Sequence, residues 1–126
     1  MQLSPHFALS EFACRCRCGG EMKSEIRKNL ETLCLALECI RKEVGKIVVV
    51  NSGYRCPDYN ASPKVQGAPD SFHTKGMAAD IVVPTFQPFQ VRTLAQHVKA
   101  IGGIGHYDDF THVDIRPRHN NRIAHF

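Results

Sequence analysis

The chain has 126 residues, of which 43% are hydrophobic and 22% charged, with a formal net charge of +4. That composition suits one globular domain with a single core and argues against disorder, and apolar runs of only about five residues exclude a membrane-spanning helix. Lys and Arg are spread along the sequence without the dense run that tracks a phosphate backbone, so no nucleic-acid partner is expected. The modest positive balance suits an anionic polymer. The opening MQLSPHFALSEF lacks a basic segment followed by an apolar core, so synthesis in the cytoplasm without a secretory leader is expected. The unusual entries in the composition are seven His and six Cys.

In chain order, residues 1–22 read as an extended arm with apolar positions Leu3, Phe7, Leu9 and Phe12, broken after the alternating Cys14, Cys16 and Cys18 by Gly19 and Gly20. Ser24 is placed to cap a helix. Ile26, Leu30, Leu33, Leu37, Ile40 and Val44 then recur at steps of four and three, one apolar stripe that Gly45 ends. Lys46 to Asn51 is a β-branched strand stopped at Ser52-Gly53. Tyr54 to Lys75 is polar and rich in turn formers, and reads as a long loop of the kind that carries function. A strand from Met77 to Val83, a helix from Pro88 to Ile101, a short strand from Ile104 to Tyr107, a turn at Asp108-Asp109 and a last strand from Phe110 to Ile115 complete the pattern. This order predicts a single α+β domain over residues 1–126, with helices packed on a mostly antiparallel sheet.

Chemistry collects on two of the strands. Side chains alternate along a strand, so Thr111, Val113 and Ile115 can join the core while His112 and Asp114 share the opposite face. Asp80 is a lone carboxylate among Ala78, Ala79, Ile81 and Val82. Buried without a cation it would cost several kcal/mol, roughly, so it needs Arg, Lys or a metal. His73 lies seven positions before Asp80 across a glycine. His73, Asp80 and His112 together offer two imidazoles and a carboxylate, a set that leaves one zinc position open to water. A buried polar network of the same residues is the plainer alternative.

Ser71, His73, Gly76, Ala78 and Asp80, written Ser-x-His-x-x-Gly-x-Ala-x-Asp, resemble the signature of the zinc D-alanyl-D-alanine carboxypeptidases and their relatives. These relatives include the D-Ala-D-Ala dipeptidases and the phage L-alanyl-D-glutamate endolysins. Ser52-Gly53-Tyr54-Arg55 upstream and His112-Val113-Asp114 downstream resemble the family in order and spacing. The likeness runs from about Leu3 to Arg116, and the opening LSPHFALSEFAC resembles the arm of small stand-alone and phage-encoded members.

The resemblance implies a hedgehog-like α+β fold, with one zinc held by His73, Asp80 and His112. It implies a zinc-dependent peptidase whose activated water attacks peptidoglycan stem or cross-link peptides containing D-amino acids. Relatives take their general base from an acidic residue three positions before the last histidine ligand, which is Asp109 here. Asp114 is the rival base, or else it accepts a hydrogen bond from a ligand imidazole. By the same resemblance Arg55 contacts the substrate carbonyl or carboxylate, and Ser71 can hydrogen-bond substrate. His106, near the site in sequence, is a further candidate acid. A phage-type member would reach the wall through a separate membrane pore, acting as a monomer. The competing reading is a non-catalytic metal-binding domain of the same scaffold that binds wall peptide or a protein partner. Asp109 beside Arg55 speaks against it, since pure binding needs no base.

The cysteines leave two readings open. Cys14, Cys16 and Cys18 alternate with Arg, so in an extended arm their thiols face one way. They could hold a second metal with Cys34, Cys39 or Cys56, or form disulfides. Cys34 lies beside the helical stripe and reads as a small core residue. A reducing cytosol favours free thiols throughout.

Overall fold

The apolar stripe forms one helix, α1 (Ser24–Val44), in the computed structural model, which describes residues 1–16 and 22–126. Leu30, Leu33, Leu37 and Ile40 on that stripe are fully buried, each contributing roughly 1.5–3 kcal/mol by leaving water. Lys23, not Ser24, takes the capping position; Ser24 is the first helical residue. Gly45 ends the helix in the left-handed region at φ 67°, where its N–H bonds the Arg41 carbonyl.

The arm is less extended than its sequence suggests. Gln2–Ser4 (β1) and Phe7–Ala8 (β2) form a small antiparallel hairpin, followed by a 3-10 turn over Leu9–Phe12. Phe7 and Phe12 are buried in the main core, with ring centroids 6.2 Å apart. A polar clasp holds the hairpin to α1. The Ser4 hydroxyl donates to Glu38 Oε2 at 2.6 Å, the His6 N–H to the same oxygen at 2.8 Å, and His6 Nδ1 lies 2.7 Å from Oε1. Burial works against the Glu38 charge, but the bonds from Ser4 and His6 outweigh it and lower its pKa. Glu38→Gln is therefore expected to cost about 1 kcal/mol at neutral pH, read as a urea midpoint shift. A lowered carboxylate contributes its stability above the unfolded value of 4.5 and loses it as the pH falls through the folded value. The difference between Glu38→Gln and wild type should thus vanish in acid.

The main sheet has the order β3 (Val49–Ser52), β4 (Ala78–Val82), β6 (Thr111–Asp114), β5 (Gly103–His106), β7 (Ala124–His125). Every neighbouring pair is antiparallel except β5 and β7. One face packs its Val50, Ala79, Ile81, Ile104 and Val113 into the same core as α1 and α3 (Pro88–Ala95). The fold is α+β. No helix among the described residues is long and apolar enough to cross a membrane.

Three expected boundaries move. The strand expected from Lys46 begins at Val49, because pairing with β4 starts at Val49 opposite Val82. The second long helix stops at Ala95; Val98 and Ile101 stay buried because short turns from Ala95 and Val98 carry them inward. The expected long loop is not structureless. It holds α2 (Pro57–Ala61), started by Pro57 where a missing N–H costs nothing, and a 3-10 turn over Phe72–Lys75. Strand β7 is too short to show any periodicity.

Candidate metal centre

His73 lies in the Phe72–Lys75 turn, which Ser71 caps by accepting the His73 N–H at 3.2 Å. Two bonds lock this turn to the Ser52–Arg55 segment. His73 Nδ1 lies 2.7 Å from the Gly53 carbonyl, and the Arg55 N–H donates to the His73 carbonyl at 3.0 Å. The two motifs are therefore parts of one local structure, although about twenty residues separate them.

Sheet register supplies the other two residues. Asp80 on β4 stands directly across from His112 on β6, and Gly103 and Gly105 on β5 stand across from Asp114 and His112. The glycines make room for the polar face: a Cβ at Gly103 would sit 2.6 Å from Arg116 Nε and against the Asp114 carboxylate.

The hydrogen positions follow from the partners. A carbonyl only accepts, so the bond to Gly53 places a hydrogen on His73 Nδ1, which in the neutral ring leaves Nε2 as a lone pair. In the neutral ring the Asp114 carboxylate likewise takes the hydrogen of His112 Nε2 at 2.7 Å, which leaves Nδ1 as a lone pair. Both lone pairs face Asp80 Oδ1, each at 3.2 Å. Three acceptor atoms with no hydrogen between them repel unless a cation joins them, either added protons or a metal. All three ligating atoms lie within 4.8 Å of one another and all three residues are buried. Two imidazoles and one carboxylate are a donor set that zinc accepts, so these residues fit the ion.

The surrounding charges support that arrangement. Arg55 Nη2 donates to Asp80 Oδ2 at 3.1 Å, leaving Oδ1 for the histidines. Burial alone would raise the Asp80 carboxyl, yet its bonds with His112 and His73 hold it far below the ordinary carboxylate range. At His112 burial opposes the charge, but the bonds with Asp114 and Asp80 prevail and raise its pKa. Above this floor opens a cleft of about 490 Å³, walled in part by Phe72, Tyr107, Phe110 and Phe126.

A family model described as Peptidase M15 matches residues 5–114. The chain belongs to the Peptidase M15 family. No curated protein matches it. The M15 family is one of zinc peptidases, and the histidine–aspartate cluster is where this member could hold the ion.

The structure places the other expected site residues differently from one another. Arg55 and Ser71 both line the cleft with His73, Asp80 and His112. Asp109 is not brought there. It is exposed on the connection between β5 and β6 and lines a shallow apolar groove with Ile81, Phe86 and Pro88. Asp114 is fully buried and spent: Oδ2 accepts from His112 and from Arg116 Nη2, both at 2.7 Å, and Oδ1 accepts from Arg116 Nε at 2.8 Å. Burial would raise its carboxyl, but the Arg116 and His112 bonds bring it down to about 2. His106 pairs with His125 at 2.9 Å instead of facing the cleft.

Asp70, Arg116 and Phe126 line the cleft without having been singled out in the sequence. A signal existed for Arg116, which shares the strand alternation of His112 and Asp114. None existed for Phe126, whose ring is brought within 5.0 Å of His112 by the pairing of β7 with β5.

Among the cysteines, Cys14 and Cys16 are brought together with Cys56, not with Cys34 or Cys39. Cys18 lies outside the described residues. The expectation of free thiols throughout fails at Cys16, which is disulfide-bonded. Cys34 is a core residue as its position suggested; burial, with Glu11 and Glu38 adding to it, pushes its thiol up to about 12.

The Asp114 geometry carries a prediction. Asp114→Asn leaves His112 free to rotate and Arg116 with half its partner. Zinc affinity should fall about 10- to 100-fold in a chelator competition, and unfolding should become easier by about 3 kcal/mol. Added zinc should restore part of the lost activity.

Proposed function

We propose that this protein is a zinc peptidase that hydrolyses peptidoglycan peptides containing D-amino acids, in the manner of D-Ala-D-Ala carboxypeptidases or endolysins. The observation that carries this reading is the convergence of His73 Nε2, Asp80 Oδ1 and His112 Nδ1 on the floor of an open cleft. Zinc held by these three atoms would supply a Lewis acid with an open position and lower the pKa of water towards about 7.

The chain's own groups divide the remaining work. Arg55 keeps Asp80 turned towards the histidines, while its Nη1, only 3.4 Å from Asn60 Oδ1, is the weakly bound donor available to a substrate oxygen. The Ser71 hydroxyl accepts from His73 and keeps its own hydrogen to donate to a peptide carbonyl. Asp70 lines the cleft and makes no ion pair among the described residues, so it is the carboxylate placed to take up a proton. The aromatic walls suit small apolar side chains such as alanine, and the guanidinium groups of Arg55 and Arg116 suit a peptide carrying carboxylates. In this reading the protein works as a monomer on the cell wall, reached from the cytoplasm through a pore made by another protein.

Mass spectrometry of the products released from purified peptidoglycan tests the proposal. Fragments shortened by D-alanine, or cut beside D-glutamate, are expected with the zinc-loaded protein and should disappear with a chelator. Intact stem and cross-link peptides after incubation with protein carrying its zinc would overturn the reading.

A further inference from the structure

The sulfur cluster stands apart from the histidine centre. Cys14 and Cys16 come from the end of the N-terminal arm, and Cys56 starts α2 in the segment that follows Arg55. Their sulfurs all lie within 4.8 Å of one another, and Cys56 Sγ is 3.6 Å from Cys16 Sγ. A tetrahedral ion with zinc–sulfur bonds of about 2.3 Å sets its sulfurs about 3.8 Å apart, so little movement is needed to admit one. Two backbone donors already point at the sulfurs: the Cys56 N–H at Cys14 Sγ, 3.2 Å away, and the Tyr59 N–H at Cys56 Sγ, 3.4 Å away. Such donors favour thiolate over thiol.

The backbone that presents these sulfurs is fixed from both sides. The Tyr54 N–H donates to the Phe12 carbonyl at 2.9 Å, and Arg15 Nη2 to the Asn51 carbonyl at 3.1 Å. A Cβ at Gly53 would meet Phe12 Cα at 2.6 Å, so the arm passes this segment at a distance only glycine permits. Chance proximity of mobile thiols does not describe this place.

We infer that in the reduced protein Cys14, Cys16 and Cys56 hold a second, structural ion of the zinc class, which ties the arm to the loop carrying Arg55. Cys16 is disulfide-bonded in this structure, so the ion and the disulfide are alternative states of one sulfur. Two molecules of a low-molecular-weight thiol open the disulfide and give the reduced state that binds the ion. They deliver two electrons and two protons to the two sulfurs of the disulfide and leave as one disulfide of their own. Each of the three thiols then releases its proton to solvent as its bond to the cation forms. Soft thiolates select zinc over magnesium or calcium. Because Cys56 directly follows Arg55, the ion braces the segment that orients Asp80.

The test uses the full chain, reduced without oxygen and equilibrated with zinc or with cobalt(II) alone. Wild type should bind about two ions per chain, and its cobalt form should show the near-ultraviolet absorption of thiolate–cobalt bonds. Cys14→Ser should bind one ion and lose that absorption. His73→Ala should also bind one ion but keep it. Cys56→Ser repeats the Cys14→Ser result if α2 tolerates the loss of its cap, and wild type with Cys14→Ser decides the matter if it does not. Folded, reduced wild type that binds a single ion without thiolate absorption, with Cys14→Ser unchanged in count, overturns the sulfur site and leaves the peptidase reading standing. An ion kept in full by His73→Ala, with thiolate absorption and no second ion in wild type, upholds the sulfur site and removes the histidine one.

Discussion

Alanine at His73, Asp80 or His112 is expected to abolish peptide hydrolysis, with turnover falling roughly a thousandfold or more, because several kcal/mol of transition-state stabilisation leaves with the Lewis acid. Metal analysis should show the same variants losing the ion of the cleft. The three differ in what they do to the fold. Asp80→Ala strips Arg55, His73 and His112 of their common partner in a buried site, and is expected to cost about 3–5 kcal/mol on top of the lost ion. His73→Ala removes a side chain held by one carbonyl and one carboxylate, and should leave the sheet pairing of β4 and β6 intact. Thermal unfolding of the metal-free forms separates these cases. Full activity in any variant that has demonstrably lost its metal would refute the assignment of the centre.

Asp70→Asn should lower kcat by about a hundredfold or more while zinc content and thermal midpoint stay near those of wild type. Asp109→Asn should change kcat by less than about threefold. The contrast comes from the β5–β6 connection. Tyr107 and Phe110 of that connection turn into the cleft, stacked at 4.4 Å between ring centroids, whereas Asp109 lies over the groove beside Pro88. Loss of turnover in Asp109→Asn with zinc retained, together with an active Asp70→Asn, would return the base to Asp109 and require the connection to rearrange around substrate. Steady-state kinetics at saturating zinc decide between the two.

Much of this protein is legible locally. The stripe from Ile26 to Val44 makes α1 inevitable, because helical periodicity and the glycine that ends it are properties of neighbouring residues. Alternation along Thr111–Asp114 places His112 and Asp114 on one face before any partner is known, and both are found buried there. The lone carboxylate at Asp80 announces a cation for the same reason: an apolar strand offers it none. Nearest-neighbour chemistry of this kind needs only the order of residues.

Partner choice across the fold is another matter. That Asp80 faces His112, that Arg55 holds Asp80 across 25 positions, and that Gly53 offers its carbonyl to His73 all follow from sheet register and loop packing. A shift of one residue would reverse each of these faces, and no local pattern specifies the pairing. The same holds for Asp109, whose distance of three positions from His112 says nothing about which side of a turn it occupies. Among Cys34, Cys39 and Cys56 the sequence offers no preference as partners for the arm. The docking of the arm, with Phe12 against Gly53, brings Cys56 to Cys14 and Cys16. Sequence by itself determined the elements, the faces they present and the residue types that need a cation. Tertiary structure decided which residues meet, because contacts between distant segments are set by the closure of the whole core and not by any stretch within it.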